Sequence, residues 1–288
     1  MDILFAWMAS VASGITPLII KASSKSLVKD PWFFNILWVG FGIPLVVLLA
    51  IFKGGGLPAN WSSLLLLSLS SACFYIFYTT SLYRLDVTTI SPLFSLRTVF
   101  AVLLGLLFLN ESINTLGIVL ILTIILASPL AAYDQRLKVK AFFQKNVLLV
   151  IFAMFSLALM GYFTNISVAR NGYATTLLWQ DLLTLLILLP TLKFAKVSRQ
   201  DVALKNFIPF LLLGITGFIY TATSTLAYAN NLALSSVIVS MPLSMVFAYA
   251  LSRTNKKYSE DHPSAVYAVR FLGAFVMVFC AIWLSFIG

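Results

Sequence analysis

Ten stretches of roughly twenty mainly apolar residues follow one another along this 288-residue chain, with little sequence left between them. A helix advances about 1.5 Å per residue, so about twenty such residues cross a hydrocarbon core of about 30 Å. The approximate spans are 3–20, 31–52, 60–83, 87–109, 113–132, 147–169, 174–194, 206–229, 234–252 and 264–287. The longest connections, "YDQRLKVKAFFQKN" and "RTNKKYSEDHPS", are basic and polar but too short to fold alone. The expectation is an all-α integral membrane protein of ten transmembrane helices. Composition agrees: 10% of residues are charged and 61% hydrophobic, against about 25% charged in soluble domains.

Nineteen Lys and Arg against nine acids give a net charge of +10. That excess lies between apolar runs, so the anionic inner leaflet and topology explain it better than nucleic acid does. The connections after the odd-numbered spans hold fifteen Lys and Arg, from Lys21, Lys25 and Lys29 to Arg253, Lys256 and Lys257; the opposite face has only Lys53 and Arg170. The positive-inside rule then places a multi-pass protein in the cell's inner (plasma) membrane, basic loops cytoplasmic and both termini outside. The first apolar stretch has neither a basic start nor a small-residue cleavage site and reads as a retained helix. Cys73 and Cys280 lie inside apolar runs and read as small buried hydrophobes.

One spacing recurs. Ala6 and Ala153, Gly14 and Gly161, Trp32 and Trp179, and Leu85 and Leu232 all differ by 147, and at that offset "TTISPLFSLRTVFA" (88–101) lies on "SSVIVSMPLSMVFA" (235–248). The chain therefore divides into a first five-helix repeat, 1–133, a basic connecting loop, 134–146, and a second five-helix repeat, 147–288. Five is odd, so the halves start on opposite sides of the membrane and form inverted repeats. In secondary transporters of that architecture the substrate site lies near the midplane, where the repeats meet. Duplication without a transport role is the plain alternative.

Arg97 stands ten residues into the fourth span, about 15 Å from either surface, too deep to snorkel. Leaving it in lipid costs at least about 2.5–3.5 kcal/mol, so it faces a wet cavity or a partner acid. Its guanidinium is a candidate for binding a substrate carboxylate or other anion; a fixed ion pair or carbonyl contacts holding helices together are the structural alternative. Asp181, about 10 Å into the seventh span, is a candidate partner for Arg97 or a titrating group for proton coupling. Tyr220, Ser224 and Tyr228 fall four apart and share a helix face, and Tyr75 and Tyr78 fall three apart. With Trp7, Ser10, Trp179, Gln180, Tyr162 and Asn165 they offer aromatic faces with polar tips, suited to an amphipathic small molecule. Trp7, Trp32 and Trp179 also suit interfacial anchoring. Gly14, Pro17, Pro92 and Pro242 are candidate bending points, although nearby Ser and Thr can re-satisfy the backbone. Arg270 reads as a snorkelling residue, and Glu111, at a helix end, as a folding or gating contact.

The sequence resembles the drug/metabolite transporter (DMT) superfamily in its EamA-type ten-helix branch. The resemblance rests on "ASGITPLIIKAS" with Gly14, Pro17 and Lys21, on "GLLFLNES" closing the fourth span, on the Gly117-led "LGIVLILTIILAS", and on the repeat itself. It covers essentially the whole chain. It implies an exporter or exchanger of small metabolites, commonly amino acids or related compounds, with helices 1–4 and 6–9 around a central cavity and helices 5 and 10 peripheral. Partners are then a small-molecule substrate and the lipid bilayer, with a monomer expected and no cofactor. An exporter of cationic or nucleoside-like compounds is the nearest alternative. A passive channel, a scaffold and a membrane-embedded enzyme are the others. The last lacks a nucleophile and base at helical spacing, and the only histidine, His262, lies in a loop beside Glu260 and Asp261.

Overall fold

A computed structural model describes residues 2–26, 28–85, 90, 93–111, 113–131, 145–196, 207–254 and 264–287. Eleven α-helices run through them: α1 Asp2–Ser26, α2 Pro31–Phe52, α3 Trp61–Arg84, α4 Phe94–Phe108, α5 Thr115–Ala131, α6 Lys145–Asn171, α7 Tyr173–Leu188, α8 Phe207–Asn230, α9 Leu232–Val239, α10 Leu243–Thr254 and α11 Ser264–Ile287. A 3₁₀ turn, Leu189–Phe194, extends α7. Among the described residues seven helical segments, one of them running through α9 and α10, are long and apolar enough to cross a membrane, and three shorter apolar helices accompany them.

Helix starts follow local chemistry. Asp30 accepts hydrogen bonds from the backbone N–H groups of Trp32 and Phe33, both at 2.9 Å, and Pro31 supplies the first helical residue of α2. Such caps satisfy donors that a helix leaves orphaned. Asn60 caps α3 through Ser63 N–H at 3.0 Å, and Asn231 caps α9 through Leu234 N–H at 2.8 Å. Lys21, read as part of the first connection, instead lies in α1 and donates from Nζ to the carbonyls of Leu82 and Leu85, closing the end of α3.

Within the span expected at 87–109, residue 90 and α4 are helical among the described residues, and Arg97 in α4 is buried by packing. One span differs from the sequence reading. The span expected at 234–252 is broken between α9 and α10 at residues 240–242. Pro242 carries no N–H and pushes the residue before it away from helical torsions, and Ser240 N–H turns back to Ser236 O at 3.0 Å.

Polar side chains are buried among the hydrophobic core clusters, and large apolar ones cover the perimeter. Ser68, Ser71, Thr79, Asn35 and Gln180 are buried, whereas Phe52, Leu126, Phe275 and Phe286 are exposed. In lipid, tails are as apolar as Leu, so helices associate through small residues and interhelical hydrogen bonds. Thr79 Oγ1 donates to Asn35 Oδ1 at 2.6 Å, and Ser68 Oγ to the Gln180 carbonyl at 3.2 Å. Several helix pairings recur when residues 1–133 are exchanged with residues 147–288. α3 lies on α6 as α8 lies on α1; α2 lies on α8 as α7 lies on α3; α4 lies on α6 as α9 and α10 lie on α1; and α5 pairs with α11.

Close approach of α2 and α8 depends on Gly214, where a Cβ would lie 2.6 Å from the Phe41 carbonyl oxygen. Backbone cannot yield as a side chain does, so Gly214→Ala is expected to cost about 1–3 kcal/mol, as overpacking does, and to lower the thermal melting midpoint. Gly40→Ala, which meets nothing within 4 Å, is expected to leave it unchanged. Equal midpoints for the two variants would contradict this packing.

Candidate functional site: a cavity around Arg97

Six helices surround one cavity of about 450 Å³, open solvent at its mouth included. The first half supplies Ser13 and Thr16 from α1, Trp38 from α2, Phe74, Tyr75 and Tyr78 from α3, and Phe94 and Arg97 from α4. The second half adds Leu157 from α6 and Gly217 and Tyr220 from α8. A largely aromatic lining with a few convergent polar groups is typical of small-molecule sites. No lining residue comes from α5 or α11, which pair beside the bundle.

Arg97 is 1% exposed. Its Cζ lies 5.1 Å from the centroid of the Tyr228 ring, a cation–π contact. Its Nε and Nη2 have no hydrogen-bond partner, and among the described residues no carboxylate forms an ion pair with it. The guanidinium thus brings a permanent charge and unused donors to the cavity. Trp38 Nε1 is likewise buried without a partner, and the Tyr220 hydroxyl lies close to the guanidinium. Gly217 lets the Trp38 indole approach, since a Cβ there would lie 3.2 Å from its Nε1. Tyr75 meets Trp38 edge-on, with centroids 4.7 Å apart, and Tyr78 stacks on Phe74 at 5.0 Å and meets Phe94 edge-on at 5.6 Å. These rings hold one another in place and form a flat-sided slot.

Of the residues singled out from sequence, Arg97, Tyr75, Tyr78 and Tyr220 come together here, whereas Ser224, Tyr228, Trp7, Trp179 and Asp181 are not among the lining residues. Ser224 turns its hydroxyl to the Thr221 carbonyl at 3.4 Å. Tyr228 lies under the guanidinium and touches the cavity only through it. Trp7 is half-buried against two hydrophobic clusters. Trp179 donates from Nε1 to the Gly56 carbonyl at 2.8 Å and packs edge-on to Trp61. Asp181 is buried beside Tyr75, and no ion pair joins it to Arg97. Asn165 serves structure, donating to the carbonyls of Tyr228 and Ala229.

Gly14 packs tightly, a Cβ there meeting Leu243 Cβ and the Phe247 ring at 3.0 Å; Pro17 lies within unbroken α1, and Pro242 lies in the break before α10. Pro92 is outside the described residues. Arg270 does not reach the surface: it is fully buried in the protein, because α11 turns that side towards its neighbours rather than towards lipid. Sequence reasoning missed Trp38, Ser13, Thr16 and Gly217. For Trp38 a signal existed, since Asn35 one turn earlier marks the inward face of α2.

At the end of the bundle away from Lys21 and Asp30, polar contacts tie the halves. Asn60 N–H donates to Asn171 Oδ1 at 2.7 Å, and Asn171 Nδ2 returns a bond to the Asn60 carbonyl at 3.1 Å. Glu111, from the end of α4, accepts from the Leu232 and Ala233 N–H groups, so its carboxylate caps α9 in the other half.

The EamA-like transporter family matches residues 1–132, a stretch ending one residue after α5. No curated protein matches the chain. Among solved structures, one described only as "Crystal structure of protein" superposes with a TM-score of 0.71 over 96% of this chain and 98% of its own, at 16% identity. At that identity the likeness concerns the fold alone. That family is one of membrane-embedded transporters, and it is the first part of this chain, residues 1–132, that is similar to it.

Proposed function

We propose that the protein is a secondary transporter, an exporter or exchanger, of small carboxylate-bearing metabolites, amino acids or related compounds. Two inverted five-helix repeats, 1–133 and 147–288, alternate in opening a shared site to either side of the plasma membrane, with the basic connections, 134–146 included, in the cytoplasm and the termini outside. The observation that carries the reading is Arg97: a permanent charge, buried between the halves, with two donor atoms unused. A buried charge left without a partner is strongly unfavourable, and a substrate carboxylate would complete it with a charge-assisted, bidentate contact. No lining residue carries a carboxylate, which disfavours a cationic cargo.

Helix pairings that recur on exchanging the halves support alternation, in which each half takes up the other's arrangement. The Asn60–Asn171 pair and the Glu111 cap are the contacts that opening at that end would part.

In proteoliposomes loaded with mixed amino acids and small organic acids, the wild type is expected to exchange a carboxylate-bearing compound. Hydrogen bonds to a charged group contribute about 1.5–3 kcal/mol, so Arg97→Leu is expected to weaken its apparent affinity by about 10- to 150-fold. Unchanged exchange by a folded Arg97→Leu protein would remove Arg97 from the site.

Asp181 is the proposed coupling group, and Asp181→Asn is expected to exchange substrate with a flattened pH dependence; full retention of that dependence would assign coupling elsewhere. With Cys73 and Cys280 replaced by Ser, Ser13→Cys is expected to react with a membrane-impermeant thiol reagent from one side and to be protected by substrate. Ser224→Cys, buried and not among the lining residues, is expected to stay unreactive. Equal reactivity would contradict the placement of the cavity.

A further inference from the structure

We infer that the cargo is a monoanion with a flat apolar body and no ammonium group, an aryl-substituted carboxylate rather than an amino acid. The inference rests on the carboxylate-carrier reading above. Arg97 supplies the only formal charge among the lining side chains, and none of them is a carboxylate or a carboxamide. The unpartnered atoms that face this region, Arg97 Nε and Nη2 and Trp38 Nε1, are N–H donors, and the Tyr220 hydroxyl lies close to the guanidinium. A carboxylate can take up these donors together and bring the net charge of the occupied site to zero.

A second, positive group on the cargo would lose its water without meeting a counter-charge, and burying an unpaired charge is costly. Pro17 has no N–H for the Ser13 carbonyl four residues before it, but that carbonyl is neutral and does not offset an ammonium. Asp181 stands beside Tyr75 and does not line the cavity. The remaining walls, Tyr75, Tyr78 and Phe94 with the Trp38 indole, meet one another edge-on and leave flat faces for an aromatic ring.

Three ligands of matched size separate the possibilities: 3-phenylpropionate, L-phenylalanine, which adds an ammonium, and phenethylamine, which lacks the carboxylate. Equilibrium binding to the full chain in lipid nanodiscs avoids passive permeation of the acid. The expected order is 3-phenylpropionate at least ten-fold tighter than L-phenylalanine, with no binding of phenethylamine. Trp38→Phe, which keeps a ring and removes one neutral donor, is expected to weaken 3-phenylpropionate by about 2- to 12-fold, and Arg97→Leu by about 10- to 150-fold. L-phenylalanine binding as tightly as 3-phenylpropionate would overturn this inference and leave the carboxylate carrier standing. Phenethylamine binding alone would overturn both. Binding of none of the three would overturn the aryl-carboxylate assignment, leaving the carrier reading to the exchange experiment.

Discussion

A guanidinium buried in a membrane bundle without an acid to pair it constrains everything around it. Arg97 stays charged at any working pH, so the protein must surround it with polarisable or polar groups or keep water within reach. It has Tyr228 below, Tyr220 and Trp38 around the same cavity, and two nitrogens unbonded. Replacing such an arrangement by apolar side chains would commonly stabilise a fold. A site that needs the charge accounts for keeping it.

The bilayer accounts for the rest of the architecture. Backbone groups in lipid must bond within the protein, so helix ends carry Asp30, Asn60, Asn231 and Glu111 as caps, and Lys21 closes α3. Many Ser and Thr hydroxyls turn to carbonyls one helical turn back, as Ser71 does to Leu67 and Thr16, at the cavity, does to Ala12. The break between α9 and α10 is tolerated because it lies inside protein rather than against lipid.

Most of the helices were legible from sequence because length and apolarity are the signals a bilayer imposes. The α9–α10 break was not, since a twenty-residue hydropathy average passes over a proline. Arg97, Tyr75, Tyr78 and Tyr220 were legible as polar or amphipathic groups in apolar helices. Sharing a face did not carry Ser224 and Tyr228 into the cavity with Tyr220, because α8 spans the bundle and its inward face meets different neighbours at each turn. Trp179 read as a cavity ring or an interfacial anchor, and the loop carbonyl of Gly56 that takes its indole N–H has no signature in sequence. Arg270 read as a snorkelling residue because its depth was counted from the helix start, whereas its burial depends on which side α11 turns inward.

The most direct measurement is an experimental structure with an exchanged carboxylate bound. The account predicts its oxygens within about 2.7–2.9 Å of Arg97 Nε and Nη2, the distance of charge-assisted bonds, and its body between the Trp38, Tyr75 and Tyr78 rings. A carboxylate bound elsewhere, with the Arg97 guanidinium turned onto an acid of the protein, would contradict it.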